Sequence, residues 1–232
     1  MKRIFNPNML LSYVEKYDLN SIFEREMIKY MELFCFDKGE LICVKGSEMK
    51  YIYFLVNGKL KVYTLHDNGK SILLRFYKPL NLLGDVEFLS NYKIQCNVES
   101  LNETTLVGIP FIVLHENASS DSKFLKFIIK TLSQKLYTTS NLTSMNLLFP
   151  LENRFASYLL STSVDDCTDS NISQIKTANL TELAALLGTS YRHLNRIMND
   201  FIKNDIIQKE KGIITIKNIN KLKELSGGNL YE

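Results

Sequence analysis

Tryptophan is absent from the chain, histidine occurs three times, and cysteine and proline occur four times each. These scarcities exclude several kinds of chemistry. A metal centre of the cupin kind needs clustered histidine and carboxylate ligands, yet His66, His115 and His193 are far apart. The cysteines, Cys35, Cys43, Cys96 and Cys167, include no Cys-x-x-Cys pair, so they are read as reduced thiols of a cytoplasmic protein. No stretch approaches the roughly 20 apolar residues that span a bilayer. The basic Lys2-Arg3 start is followed by Asn6-Pro7-Asn8 and a charged run from Glu15 to Asp18, which interrupts any signal-peptide core. The sequence shows no nucleophile paired with a base, no phosphate loop and no metal motif. Neither catalysis, nor a cofactor, nor a membrane partner is expected.

What the chain does have is 45% hydrophobic content over 232 residues, enough for a sizeable core and two domains. From Phe36 to about Pro110, short strand-like runs are punctuated by glycine at Gly39, Gly46, Gly58 and Gly69. Such regular turn signals predict an antiparallel β-roll of the jelly-roll kind. Asn57-Gly58 and Asn68-Gly69 each suit a two-residue turn with positive φ at both positions. Between them Lys59 to Leu65 alternates polar with apolar, so Leu60 and Val62 can face a core.

Residues 119 to 147 lack glycine and proline and have helical period. Leu125, Ile128 or Ile129, Leu132, Leu136, Thr139, Leu142 and Met145 form a stripe that suits a long helix pairing with a copy of itself. Leu125, Ile129, Leu132 and Leu136 are the expected dimer contacts. Phe149-Pro150 breaks this helix, and Leu151 starts another, with Pro150 suited to its first turn. The expected organisation is a sensor roll over 1–118, a dimerisation helix over 119–148 and a third region over 149–232.

That third region carries the most specific pattern. Asn179 to Phe201 reads as two short amphipathic helices joined by a turn at Gly188, a helix-turn-helix, which makes double-stranded DNA the expected partner. Asn179 can cap the first helix, with Glu182 three residues on. Leu194, Ile197, Met198 and Phe201 fall on the inward face of the second helix. Its other face offers Tyr191, Arg192, Asn195, Arg196 and Asn199. Arginine can pair with both acceptors of guanine and asparagine with adenine. Downstream, Gln208 to Lys217 reads as two brief strands around Lys211-Gly212, a wing that would bring Lys209, Lys211 and Lys217 near phosphates.

The charge follows the same division. Residues 176 to 225 hold nine Lys or Arg against five Asp or Glu, while residues 1 to 175 hold nineteen of each. The net charge of +3 therefore resides in the segment expected to meet DNA.

With β-roll, long helix, proline break and winged helix-turn-helix in that order, the chain resembles the Crp/Fnr superfamily of bacterial transcription regulators over nearly its whole length. Leu83-Gly84-Asp85-Val86-Glu87-Phe88 looks like that family's phosphate-binding cassette, and Phe149-Pro150-Leu-Glu-Asn-Arg154-Phe155 like the start of its DNA-binding domain. The run Ser190-Tyr191-Arg192-His193-Leu194 is most similar to the YeiL-type branch. The resemblance implies an α+β fold with a cyclic-nucleotide-binding-like roll. It further implies a homodimer on a near-palindromic operator, and RNA polymerase as a further partner. It implies base reading by Tyr191, Arg192 and Arg196, with Ser190 and His193 nearer phosphates. An effector pocket would draw on Gly84, Asp85, Glu87, Gln95 and Cys96.

The family's cyclic-AMP receptors place an arginine and a serine where this chain has Gln95 and Cys96, so cyclic AMP is not the expected signal. Arg192 likewise stands where the best-known members have a glutamate, so the target sequence should differ on at least one base. Convergence of Cys35, Cys43 and Cys96 would instead make a redox or iron-sulfur-responsive regulator. The alternative of another class is a cupin-like small-molecule-binding protein without DNA function.

Overall fold

Asn6 accepts a hydrogen bond from the Met9 amide at 3.0 Å and Pro7 follows in the first turn, where a missing N–H costs nothing. Helix α1 (Pro7–Lys16) therefore starts at the Asn6-Pro7-Asn8 interruption, after strand β1 (Lys2–Ile4). Strands β2 (Glu32–Phe36), β3 (Leu41–Cys43), β4 (Tyr51–Asn57), β5 (Leu60–Leu65), β6 (Ser71–Tyr77) and β7 (Leu82–Leu83) come next, then helix α2 (Asp85–Ser90). Strands β8 (Asn97–Ser100) and β9 (Thr104–Pro110) are followed by helices α3 (Phe111–Asn117), α4 (Ser122–Leu148) and α5 (Leu151–Thr162). Further on come β10 (Gln174–Lys176), α6 (Leu180–Leu186), α7 (Tyr191–Lys203), β11 (Ile207–Glu210), β12 (Ile213–Ile216) and α8 (Ile219–Ser226).

This computed structural model describes residues 1–65, 71–163, 174–176, 179–228 and 230–231. The expected Asn68-Gly69 turn, His66 and Cys167 lie outside them. The chain divides into two compact units, residues 1–64 with 77–138, and residues 65–76 with 139–232.

In the first unit an antiparallel sheet runs β1-β2-β9-β4-β7, with Leu33 and Phe54 both opposite Val107. A second sheet contains β3, β8 and β5 in that order. Ile52, Phe54, Val56, Val107 and Ile109 bury their side chains together with Phe124 and Ile128 of α4. Phe124 stacks on Phe23 at 5.0 Å and meets Phe88 edge-on at 5.8 Å. Truncating such a ring typically costs about 3–5 kcal/mol. Buried Asp121 starts α4 by accepting from the amides of Lys123 and Phe124 at 3.0 Å, while its other oxygen takes the Glu24 amide at 2.7 Å. The helix is thus pinned at its first turn.

The Asn57-Gly58 turn differs from expectation. Because β4 and β5 lie in different sheets, it is a crossover and not a hairpin. Only Gly58 is left-handed, at φ +95°, and a Cβ there would sit 2.6 Å from the Thr104 hydroxyl oxygen. The glycine is required by close approach as much as by conformation. Leu60 and Val62 are buried as expected, but burial along Lys59–Leu65 does not alternate: Lys59 and Lys61 are buried too, Lys61 paired to Glu99 at 2.9 Å, and Leu65 is 45% exposed.

In the second unit, α5, α6, α7 and α8 surround a core that includes Phe155, Leu159, Leu183, Ala184, Leu194 and Ile197, and strands β10-β12-β11 form its antiparallel sheet. Phe155 and Phe201 meet at 5.5 Å. Pro150 is extended, with φ −55° and ψ 159°, and stands just before α5 and not within its first turn. Tyr231 is also buried here. Its amide donates to Ser161 Oγ and its hydroxyl to Asn146 Oδ1, both at 2.9 Å, and its carbonyl accepts from the Phe76 amide.

Candidate nucleic-acid interface

Helix α7 owes its start to Ser190, whose hydroxyl accepts from the His193 amide at 3.2 Å. Ser190 is thus a cap as well as a surface group. Along α7, Leu194, Ile197, Met198 and Phe201 are buried at 5% exposure or less, the inward face that the helical spacing predicts. With these four fixed inward, Tyr191, Arg192, His193, Arg196 and Asn199 stand exposed, and Asn195 is half-exposed. Tyr191 retains 49% of its surface. An open depression of about 580 Å³ runs along this face, lined by Ser190, Arg192, His193, Asn195, Arg196, Asn199, Asp200 and Lys203. Lys203, in the last turn, adds a cation that sequence reading did not single out, although its place one turn beyond Asn199 could have marked it.

The turn before α7 is built by backbone and by one arginine. Asn179 caps α6 by accepting from the amides of Thr181 and Glu182 at 2.9 and 3.4 Å. Gly188 takes φ +63°, and the Gly188 and Thr189 amides donate to Ala185 and Ala184 carbonyls, both at 2.9 Å. The guanidinium of Arg154, on α5, donates to the Leu187 carbonyl. Arg154 therefore holds the carbonyl of Leu187, the residue that caps the end of α6, a group the helix itself leaves open. In the sequence Arg154 stands out only within the Phe149–Phe155 motif, since nothing in periodicity links positions 33 residues apart.

The wing forms as the sequence suggests. Strands β11 and β12 pair antiparallel, Glu210 opposite Ile213, around Lys211 and Gly212 at φ +46° and +80°. Two positive φ values give the turn whose twist matches a hairpin. Lys211 is exposed at the tip, Lys209 is partly covered along β11, and Lys217 is exposed just past β12.

The residues expected to form an effector pocket lie at the start of α2 and just before β8. Gly84, at φ +90°, precedes α2, and Asp85 is 2% exposed. Lys135 of α4 places its ammonium 2.8 Å from both Asp85 carboxylate oxygens and 2.7 Å from the Leu82 carbonyl. Glu87 is half-buried, and its carboxyl is pushed above the usual range first by burial, with the Asp85 charge adding and Lys135 opposing. Gln95 is exposed and donates its side-chain amide to the Lys93 carbonyl at 2.8 Å. Cys96 is half-buried. Burial, followed by the charge of Glu87 and then Cys96, pushes the Cys43 thiol up to about 12. Cys35 lies against the Thr105 hydroxyl at 3.6 Å. Among the described residues no group of three histidine, cysteine or acidic side chains is placed to hold a metal ion.

The expected dimer stripe divides between two faces of α4. Ile128 is buried in the roll's core and Leu132 packs against it, while Leu142 and Met145 are buried further along. Leu125 is half-buried. Ile129, Leu136 and Tyr137 stay 62%, 70% and 71% exposed.

Comparison with known proteins agrees with this architecture. Residues 33–117 match the cyclic nucleotide-binding domain model and residues 153–225 the Crp-like helix-turn-helix domain model. The chain is 28% identical to the regulatory protein YeiL of Escherichia coli O157:H7 over 195 residues, 84% of each chain. It is 22% identical to the anaerobic regulatory protein of Haemophilus influenzae over 83% of this chain and 75% of that one. Among solved structures, a crp/fnr-family regulator from Eubacterium rectale superposes with a TM-score of 0.76 at 18% identity, over 93% of this chain and 99% of that one. A CRP/FNR-family regulator from Thermus thermophilus gives 0.72 at 21% identity, over 85% and 100%. In a cyclic nucleotide-binding domain and a Crp-like helix-turn-helix domain the chain is thus similar to transcription regulators of the Crp/Fnr kind. No helix among the described residues is long and apolar enough to cross a membrane.

Proposed function

We propose that the protein acts as a homodimer that reads a near-palindromic operator through α7 and presents itself to RNA polymerase at promoters. The observation that carries this reading is the division of α7 into a closed apolar face and an open face bearing Arg192, Asn195, Arg196 and Asn199. Arg192 and Arg196 carry donors suited to guanine, Asn195 to adenine, and Tyr191 adds a stacking or methyl contact. Ser190 and His193 at the helix start, and Lys209 and Lys211 on the wing, supply phosphate contacts that set register. The exposed Ile129 and Leu136 support self-association along α4, to which Leu125 and Leu132 contribute at its edge. A two-fold dimer would address half-sites one helical turn apart, roughly 34–36 Å.

Cyclic AMP is not proposed as the signal, because Gln95 is turned to its own backbone and Asp85 is already engaged. The test is duplex binding against salt concentration by the full chain and by the Arg192→Ala, Arg196→Ala double variant. The wild type should lose affinity steeply with salt, and the variant should bind more weakly at every salt. Equal binding by both proteins would contradict the assignment of α7.

A further inference from the structure

We infer that the Leu82–Asp85 corner is an ammonium-binding site whose resident ligand is Lys135 of the same chain. A lysine ammonium has three N–H donors and no acceptor. Here three oxygens surround it, the Leu82 carbonyl at 2.7 Å and both Asp85 carboxylate oxygens at 2.8 Å. The Tyr77 ring closes another side, with its centroid 5.3 Å from the nitrogen. The Asp85 side chain is 3% exposed and that of Lys135 17%, so the pair is largely shielded from water and screening salt.

The chemistry selects an ammonium and disfavours an anion. Asp85 and half-buried Glu87 bring two carboxylates to α2 beside the ammonium of Lys135. A phosphate entering here would meet carboxylates while the lysine's donors are committed. An arginine could not substitute equally, because its planar fork does not converge on three oxygens as an ammonium does. What an added effector could do for such a roll, fastening the long helix to the segment around Asp85, the chain does with its own side chain. The domain is built to hold α4 with no small molecule supplied.

Breaking a buried ion pair by removing one partner is strongly destabilising, whereas removing both charges is much less so. Lys135→Ala should therefore lower Tm by roughly 5–15 °C, and n-propylammonium should restore part of that loss in the variant while leaving the wild type unchanged. Tetramethylammonium, which has the charge but no N–H donor, should restore nothing. Should Lys135→Ala fail to fold, the Asp85→Asn, Lys135→Met double variant should still fold, and its loss should be smaller than that of Lys135→Met alone. Cyclic AMP should not shift the wild-type Tm. Any of four results overturns the assignment: an unchanged Tm in Lys135→Ala, equal rescue by the two cations, a double variant no more stable than Lys135→Met, or a wild-type Tm raised by cyclic AMP.

Discussion

Arg154 shows how one side chain can fasten the turn that leads into α7. Its guanidinium holds the Leu187 carbonyl, and its buried Nε has no partner among the described residues. Arg154→Met should keep the packing of the stem yet leave that carbonyl open. The expected result is a loss of roughly 1–3 kcal/mol in stability, read by thermal melting, with DNA affinity falling along with it. On the face proposed to read DNA, Arg196→Ala should cost about 1–3 kcal/mol on the preferred duplex and relax one base position. Lys211→Ala should instead weaken binding uniformly and lower the salt slope by about 1. Equilibrium titrations over several salts and base substitutions separate the two. Alkaline pH probes Tyr231, whose hydroxyl is pushed up to about 12 by burial, with Arg154 opposing. A raised acid of this kind stabilises the fold fully below its ordinary value near 10 and ceases to do so as pH rises through about 12. Tyr231→Phe should therefore show a smaller alkaline drop in Tm than the wild type, with Cys43, Tyr51 and Tyr53, all likewise raised, contributing to the residual drop.

Among the elements, α7 and the wing were legible because their signals are local. An apolar repeat of three and four fixes which face turns inward, and Lys211-Gly212 supplies the two left-handed residues a tight hairpin needs. Asn57-Gly58 carries the stronger hairpin signal of the two, yet it joins strands of different sheets and only its glycine is left-handed. The tertiary crossover overrode the dipeptide. Helix α1 was announced by Asn6-Pro7, a pair equally good at ending an apolar run. Helix α4 was legible as a helix but not in its faces, because 27 residues meet different neighbours along their length, and one stripe merged buried Ile128 with exposed Ile129. The Lys135–Asp85 contact was beyond reach, since ion pairs 50 residues apart leave no period. The exposed face makes its own prediction. Ile129→Asp with Leu136→Asp changes side chains already 62% and 70% exposed, so the fold should persist while self-association fails. Sedimentation velocity should show monomer where the wild type shows dimer, and a dimer in both would move the interface elsewhere.

For the whole molecule, function follows from a division of labour. The first unit spends its apolar residues on a roll and one end of α4, with a corner whose buried acid is answered from within. The second buries the inner faces of α5, α6, α7 and α8 and leaves polar side chains on α7 and lysines on the wing. The excess of positive charge over residues 176–225 belongs to that second unit, where phosphates would be met. Operator reading by a two-fold dimer through α7 is put to the sharpest trial by selection from a pool of randomised duplexes with the full-length protein. Enrichment should fall on a two-fold symmetric site whose arms are centred roughly one helical turn apart, with the preference at one base pair of each arm lost in Arg196→Ala. Enrichment of no sequence, or of a site unchanged by Arg196→Ala, would contradict that reading.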